Sequence, residues 1–361
     1  MSVKLQCPVC GKDKSPLAVS DYDCDNCGFN NAFVRYFATE KVHKLWLQSI
    51  DKAKLERKAK FKIQLVSSID FWIGNNSVVF ADKQKKSISI ILGNGRTQNE
   101  RNATAFSSSE RNYAVLYENG SIAVFGEDNS YGQKNTESWR EIQFVLAAPN
   151  CTYGVTKKGG VVYAGSLCST EVLKWNNVKL LRTSGSSIVG LSSNGKVLVT
   201  NDFGSSEIVD DMRKWDGVAD IVTSRDSALG LTANGSVKFA GKPDDPRKQV
   251  ESWKNITSIA IDNSFAYGLS NEGGILVAGT CKAFLDRGRS KVSQWNHILC
   301  LSSNQGGVGA ISENGELYFA GTITGDLSKM KDAWNAELSR YPYFKETAYN
   351  EDRKAVAGDQ S

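Results

Sequence analysis

The chain has 361 residues, 40% of them hydrophobic, with 32 glycines and 6 prolines, a composition that favours strands and tight turns over helices or disorder. The net charge of +5 is concentrated between residues 35 and 62, where nine basic side chains stand against three acidic ones. No apolar run is long enough to span a membrane and the N-terminus lacks a secretory signal, so we expect a cytoplasmic protein without a membrane partner.

Two Cys-x-x-Cys pairs open the chain: Cys7 with Cys10, and Cys24 with Cys27. The two-residue gap lets both thiolates of a pair bind one tetrahedral ion, and such paired spacing is typical of zinc. We therefore predict a structural zinc ribbon over residues 1–33 with these four cysteines as zinc ligands. Four thiolates fill the coordination sphere, which argues against a catalytic zinc.

Apolar residues at three- and four-residue steps, among them Val42, Leu45 and Trp46, predict an amphipathic helix within residues 34–62. Much of its remaining surface is basic, and this gives a set of candidate nucleic-acid-binding residues. They are Lys44, Lys52, Lys54, Arg57 and Lys58. Two interpretations stay open: a solvated linker helix, or a basic helix that follows nucleic-acid phosphates.

The body of the chain, residues 63–345, is built from a repeated unit. Five tryptophans are each followed by a turn glycine after twenty residues, and by a small residue after fifteen. The pairs are Trp139 with Gly159, Trp175 with Gly195, Trp215 with Gly235, Trp253 with Gly273, and Trp295 with Gly315. Several turns are Asn-Gly, the residue pair that favours a tight hairpin. We interpret the tryptophans as packing between units, and the small residues as places where a large side chain would not fit.

An earlier turn at Gly120 and a degenerate one at Asn76 bring the count to seven units. Seven short antiparallel units predict an all-β fold, a seven-bladed β-propeller, in which the blades close into a ring. Trp334 has no turn after it. We expect residues 334–345 to supply a strand that closes the ring, and residues 346–361 to form a disordered tail.

The units resemble those of the regulator of chromosome condensation family, in their order of tryptophan, Gly-Leu strand, Asn-Gly turn and strand ending in glycine. The best local match is the stretch from Gly126 to Gln133, Gly-Glu-Asp-Asn-Ser-Tyr-Gly-Gln. The resemblance covers the repeats and leaves the ribbon outside. It implies a propeller, and some relatives exchange nucleotide on small GTPases or inhibit enzymes. The exchange factors use an inserted wedge, whereas no connection here greatly exceeds its siblings.

The connection from the end of one unit to the next tryptophan varies in length, while the other intervals are constant. Variable connections of a repeat protein gather on one face, often the binding face. The longest begins at residues 280–290 and combines an aromatic residue with two arginines, which are enriched at interfaces. The candidate partner-binding residues are Tyr131, Phe284, Arg287 and Arg289. A solvated loop with Phe284 turned inward is the alternative.

The sequence offers no catalytic constellation. His43 and His297 are its two histidines, neither with a partner that the sequence can place, and no phosphate loop or nucleophile elbow is present. The four remaining cysteines are expected to be reduced. They are Cys151, Cys168, Cys281 and Cys300. We therefore predict a non-enzymatic scaffold or adaptor that presents a propeller face to a protein partner, with no small-molecule substrate. The alternatives are nucleic-acid association through the head, or regulation of a partner enzyme or small GTPase.

Overall fold

A computed structural model describes residues 69–338 except 75, 110–111, 127–128, 167 and 186, together with 48, 52–53 and the backbone of 5–6 and 13–14. The chain divides into two compact units, Met1–Ser67 and Ser68–Ser361. In the first unit, β1 (Leu5–Gln6) pairs with β2 (Asp13–Lys14) in antiparallel register. The four predicted zinc ligands and four of the five basic candidates lie outside the described residues. Lys52 is helical and exposed.

The second unit is a seven-bladed β-propeller, as the repeats predict. Each blade is an antiparallel sheet whose strands follow chain order, with four strands in blade 1 and three in the others. Blade 1 consists of β3 (Ile69–Ile73), β4 (Ser77–Asp82), β5 (Ser87–Leu92) and β6 (Thr97–Arg101). Blade 2 consists of β7 (Ala103–Ser108), β8 (Asn112–Tyr117) and β9 (Ile122–Gly126), and blade 3 of β10 (Ile142–Ala148), β11 (Cys151–Thr156) and β12 (Val161–Ala164). Blade 4 consists of β13 (Val178–Ser184), β14 (Ser187–Ser192) and β15 (Val197–Val199), and blade 5 of β16 (Val218–Ser224), β17 (Ser227–Thr232) and β18 (Val237–Ala240). Blade 6 consists of β19 (Ile256–Ile261), β20 (Phe265–Ser270) and β21 (Ile275–Gly279), and blade 7 of β22 (Ile298–Ser303), β23 (Gly307–Ser312) and β24 (Leu317–Gly321).

The described helices of this unit lie in the segments that leave the third strand of a blade. The α-helices are α1 Ser206–Arg213, α2 Ala283–Asp286 and α3 Leu327–Leu338, and the 3-10 helices are Thr170–Lys174, Pro246–Ser252 and Arg289–Gln294. The first strand of blade 7, β22, contacts the first strand of blade 1, β3, so the ring is closed. At that closure the backbone N–H of Ile73 donates to the Ser302 hydroxyl at 3.2 Å.

The repeated tryptophans pack between blades. Trp139 lies in one apolar cluster with Leu116 of blade 2 and Ile142 of blade 3. An alanine methyl group at Gly154, fifteen residues after Trp139, would lie 2.9 Å from the indole Cζ3, closer than real contacts allow. The expectation that a large side chain would not fit there is confirmed, and the tryptophan of the same unit is the reason.

The repeated turns also join blades. The turn glycine takes a left-handed conformation, with φ of 81° at Gly195. Its carbonyl then accepts a hydrogen bond from the first strand of the next blade, for example from the Val218 N–H at 3.0 Å. The carbonyls of Gly120, Gly159, Gly235 and Gly273 do the same. Each of these turns therefore fixes both a hairpin and a junction between blades.

The turn predicted at Asn76, in blade 1, is wrong. Asn76 lies between β3 and β4, whereas the equivalent turn ends at Lys86, whose φ is 51° and whose carbonyl accepts from the Ala103 N–H at 3.0 Å. The Asn-Gly pair of this blade, Asn94-Gly95, instead forms the hairpin to its extra strand, β6. A lysine at the left-handed position hides the turn from a search for glycine.

The strand predicted after Trp334 is also wrong, because residues up to Leu338 form helix α3. Met330 and Trp334 are four residues apart on this helix and both are fully buried. The indole Nε1 of Trp334 donates to the carbonyl oxygen of Gly315 at 2.6 Å, and its ring centroid lies 5.1 Å from that of Phe80 in blade 1. Trp334 therefore supplies to Gly315 the donor that a strand amide supplies to the turn glycines of blades 2 to 6.

The expectation of four reduced cysteines is wrong for one pair. Cys151 and Cys168 form a disulfide, with their Cα atoms 5.6 Å apart, and Cys281 and Cys300 are free. Cys168 follows β12, whose last residue, Ala164, pairs with Thr152 at the start of β11, next to Cys151. The spacing in sequence gives no sign of this approach.

Candidate interaction surface

The segment between blades 6 and 7 begins with a tight bend, residues 280–290, which we call the 280–290 loop. Helix α2 occupies its first half, and the N–H of Leu285 donates to the Lys282 carbonyl at 2.8 Å. The chain then reverses through two left-handed residues, Arg287 with φ of 47° and Gly288 with φ of 85°. A left-handed arginine is uncommon, so its surroundings must hold it in place.

Phe284 lies at the outside of this loop and is 74% exposed, the most exposed large apolar side chain of the described residues. Leu285 beside it is 47% exposed. The alternative in which Phe284 turns inward therefore does not hold. Two adjacent exposed apolar side chains, one of them aromatic, make this loop the candidate contact surface.

Arg289, in contrast, is buried, with only 5% exposure. Its Nη1 lies 3.2 Å from Oδ2 of Asp262, its Nη2 donates to the Leu285 carbonyl at 2.6 Å and its Nε donates to the Asp286 carbonyl at 3.1 Å. The guanidinium also lies over the ring of Phe265, 5.1 Å from its centroid. Arg289 thus connects the backbone of the loop to blade 6, and its guanidinium faces the interior. The prediction that Arg289 binds a partner rested on residue type alone, which does not show that the side chain is buried.

Asp262, the anchor of this network, is fully buried. Its Oδ1 accepts from the N–H groups of Ser264 at 2.7 Å and Phe265 at 2.8 Å, and its Oδ2 accepts from the Tyr267 hydroxyl at 2.9 Å. Burial and the neighbouring carboxylate raise the pKa of Tyr267, so its hydroxyl keeps the proton that it donates. A buried carboxylate with this many donors is a rigid support.

A second arginine, in the segment between blades 5 and 6, contacts the backbone of Asp262. Nη1 of Arg247 donates to the backbone carbonyl of Asp262 at 3.0 Å, and the Arg247 guanidinium is paired with Asp245. Burial favours the neutral form of Asp245, but the hydrogen bonds from Arg247 outweigh it and lower the pKa of that carboxyl. Sequence reasoning missed Asp262, Asp245 and Arg247, because nothing in a charged residue's identity shows that it is buried.

The exposed rim of the 280–290 loop is cationic. Arg287 and Lys282 are exposed, as is Lys291 just beyond the loop. The Arg287 carbonyl accepts from the Gly321 N–H at 3.0 Å, and its Nη1 donates to the Thr322 hydroxyl at 3.1 Å. Tyr131, the fourth predicted residue, is half-buried in the segment between blades 2 and 3, so the structure does not bring it to this loop.

The first strands of the seven blades surround a central channel of about 580 Å³. Aromatic residues such as Trp72 and Phe144 line it, together with Asp70, Arg182 and Asp220. Arg182 pairs with Asp220 at 3.2 Å, and Asp70 pairs with Lys83 at 2.9 Å. Burial raises the pKa of Asp70. These charges are matched within the protein. They were not predicted, because isolated charged residues in a strand resemble its solvent face.

No cluster of three or more His, Cys, Asp or Glu side chains that could hold a metal occurs among the described residues, and no helix among them is long and apolar enough to cross a membrane. His297 is exposed at a left-handed position, φ 56°, that Asn177 and Asn255 occupy in other units. The interpretation of His297 as a polar loop residue agrees with this backbone geometry.

Comparison with known proteins supports the fold. No protein-family model matches the chain, and neither does any curated protein. The CRINKLY WD40 ectodomain of the receptor kinase ACR4 from Arabidopsis thaliana is similar over 72% of this chain and 96% of its own, with 12% identity and a TM-score of 0.52. Prp20p from Saccharomyces cerevisiae, at 12% identity and a TM-score of 0.46, covers 74% of this chain and 86% of its own. At such identities the similarity shows the fold alone.

Proposed function

We propose that this protein is a non-catalytic scaffold or adaptor that presents a propeller face to a protein partner, through a contact centred on the 280–290 loop. The observation that carries the proposal is Phe284, 74% exposed on a backbone that a buried arginine holds in place. Aromatic and arginine side chains dominate binding energy at protein interfaces, and an ordered loop loses little entropy on binding. The resemblance of the repeats to the regulator of chromosome condensation family agrees with a protein partner.

Two observations bear on cysteine catalysis and on nucleotide exchange. Burial raises the pKa of the Cys300 thiol to about 12, so this cysteine stays protonated at neutral pH and is not a candidate nucleophile. Among the described residues of the second unit, every strand belongs to one of the seven blade sheets. An inserted β-wedge of the kind that exchange factors of the resembling family use is therefore not part of this described region.

For the head, we propose a structural zinc ion bound by Cys7, Cys10, Cys24 and Cys27. The β1–β2 pair supports this, because its connecting segment contains the first Cys-x-x-Cys motif. We propose a cytoplasmic protein, because thiolates stay available to zinc in a reducing compartment; the Cys151–Cys168 disulfide is the observation against this location, since disulfides are rare there. Elemental analysis of protein purified under reducing conditions should find one zinc per chain. A value near zero would refute the ribbon.

Site-specific photo-crosslinking tests the scaffold function. A photoreactive residue replaces Phe284 in the full chain, and a matched control carries it at Leu173, which is 53% exposed in a different segment. In cells that naturally produce the protein, we expect a discrete protein adduct from position 284 and none of that mass from position 173. Adducts with nucleic acid alone, lost on deleting residues 1–62, would instead favour the basic helix of the head as the binding element.

A further inference from the structure

The charges around Phe284 indicate what kind of partner the 280–290 loop fits. Lys282 and Arg287 are exposed on it, and Asp286 is its one acidic residue. Asp286 is occupied from within: its Oδ1 accepts from the Ser290 N–H and its Oδ2 from the Ser290 hydroxyl, both at 2.8 Å. Desolvation opposes ionisation, but these hydrogen bonds lower the pKa of Asp286 and hold its charge toward Ser290. Lys282 and Arg287 outnumber Asp286, so the rim that a partner meets carries a net positive charge.

Arg289 gives this rim a fixed shape. Its guanidinium contacts three acceptors in different directions: the Asp262 carboxylate, the Leu285 carbonyl and the Asp286 carbonyl. A planar fork with several N–H donors can reach all three, whereas the single ammonium of a lysine cannot. Both carbonyls belong to the turn that carries Phe284. Arg289 thus acts on the contact surface through the loop backbone, without touching the partner.

The left-handed backbone at Arg287 is held from the other side. Gly321 and Thr322, at the end of blade 7, bond the Arg287 carbonyl and guanidinium. A strained residue between two fixed anchors presents its side chain in one orientation. The loop therefore meets a partner with Phe284, Leu285 and Arg287 already in place.

We propose that the 280–290 loop binds a protein segment in which an apolar side chain stands next to a carboxylate, with Phe284 and Leu285 contacting the apolar side chain and Arg287 the carboxylate. Arg289 is the positioning residue. The proposal rests on the proposed function and adds to it the chemistry of the partner. Charge complementarity carries the choice of an acidic segment, since an exposed arginine pairs most strongly with a carboxylate.

A phage-displayed library of random peptides, selected on the full chain, tests the chemistry directly. We expect enriched peptides to place Leu, Ile, Met or an aromatic residue beside Asp or Glu. Their affinity should fall at least about tenfold in Phe284→Ala and about tenfold in Arg287→Ala, and stay unchanged in the control Leu173→Ala. Enrichment of basic or uncharged peptides, no enrichment, or equal loss in the control would overturn the proposal.

Arg289→Lys tests the positioning role, with amide hydrogen exchange as a readout that a general loss of stability would not reproduce. We expect faster exchange at residues 283–288, unchanged exchange in β20, and a peptide affinity about tenfold lower. Arg247→Lys is the matched control, because it removes a contact to Asp262 without touching the loop. Equal acceleration in β20 and in the loop, or unchanged peptide binding, would show that Arg289 does not position the loop.

The two proposals fail in different ways. A protein adduct from position 284, combined with basic peptides from the library, would leave the scaffold function standing and refute the acidic-segment chemistry. Acidic peptides that need Phe284, combined with no protein adduct in cells, would keep the binding chemistry and refute the natural scaffold function.

Discussion

The carbonyl of the turn glycine accepts a hydrogen bond both at the junctions that follow blades 2 to 6 and at the seam around Gly315. The donors differ between the two places. Gly195 in blade 4 offers its carbonyl to the Val218 amide of the next strand at 3.0 Å. Gly315 in blade 7 occupies the same place in its unit, but its carbonyl accepts from the Trp334 indole, on a helix, at 2.6 Å. The repeat fixes where an acceptor must be satisfied, and leaves open which group satisfies it.

This difference makes the stability of the seam more sensitive to substitution than that of the other junctions. A backbone amide donor survives every side-chain substitution except proline, whereas the donor at Gly315 depends on the side chain of one residue. The same residue fills space against Phe80 of blade 1. Substitutions at Trp334 should therefore affect the ring more than equivalent substitutions at a repeated tryptophan.

Trp334→Ala should give the largest effect. Trp334 is fully buried, so truncation leaves a cavity between helix α3 and blade 1 and an unpaired carbonyl at Gly315. We expect a loss of about 3–5 kcal/mol in the free energy of unfolding of the propeller, measured by guanidinium titration. Leu173→Ala, at an exposed site, serves as control and should change stability by less than about 0.5 kcal/mol. A similarly small change for Trp334→Ala would show that Trp334 does not stabilise the seam.

Gly230→Ala tests the repeated junction itself. The added methyl group would lie 2.8 Å from Cζ3 of Trp215, so the indole or the strand must move. We expect destabilisation of about 1–3 kcal/mol in the same titration, as for other overpacked sites.

Gly160→Ala is the matched control for that substitution. Its nearest atom would be the Thr156 hydroxyl at 3.6 Å, an ordinary contact, and its φ is not left-handed. If both alanine variants behave alike, the tryptophan does not set the size limit at the position fifteen residues after it.

Trp334→Phe separates the hydrogen bond at the seam from its packing. A phenyl ring keeps most of the buried surface but leaves the Gly315 carbonyl without its indole donor. We expect Trp334→Phe to cost about 1–2 kcal/mol more than Trp215→Phe, because the latter leaves the bond from Val218 to Gly195 intact. Equal losses in thermal or denaturant unfolding would mean that the indole N–H contributes nothing specific.

Much of the fold was predictable because the repeat is enforced by contacts within each unit. Trp215, Gly230 and Gly235 stand at constant intervals, since the indole must cover one strand and the turn must reach the next blade. The fold class followed from those intervals, whereas the count of seven also used the turns at Gly120 and Asn76. Asn76 was misassigned, because Lys86 occupies the left-handed turn position and the Asn94-Gly95 pair serves an added strand.

The interaction surface was predictable only in part. The length of the segment after blade 6 and its residue types led to Phe284 and Arg287, both of which are exposed. Arg289 has the same composition signal but is buried, because its burial depends on Asp262, twenty-seven residues earlier in another blade element. Helix α3 and the Cys151–Cys168 bond likewise depend on contacts that no local pattern records.

The smallest expected effect concerns blade 1, where Lys86 stands at the position that glycine holds in the repeated turns. Its φ of 51° is unfavourable for a side chain with a Cβ atom and free of that cost for glycine. Lys86 also pairs with Glu118, but both side chains are about half-exposed and such pairs contribute little. We expect Lys86→Gly to stabilise the propeller by about 0.5–1 kcal/mol, whereas Lys85→Gly, one residue earlier and outside the left-handed region, should destabilise it slightly. If both variants lose stability equally in thermal unfolding, the left-handed φ of Lys86 does not destabilise the turn of blade 1. The preference for glycine in the repeated turns would then not extend to this blade.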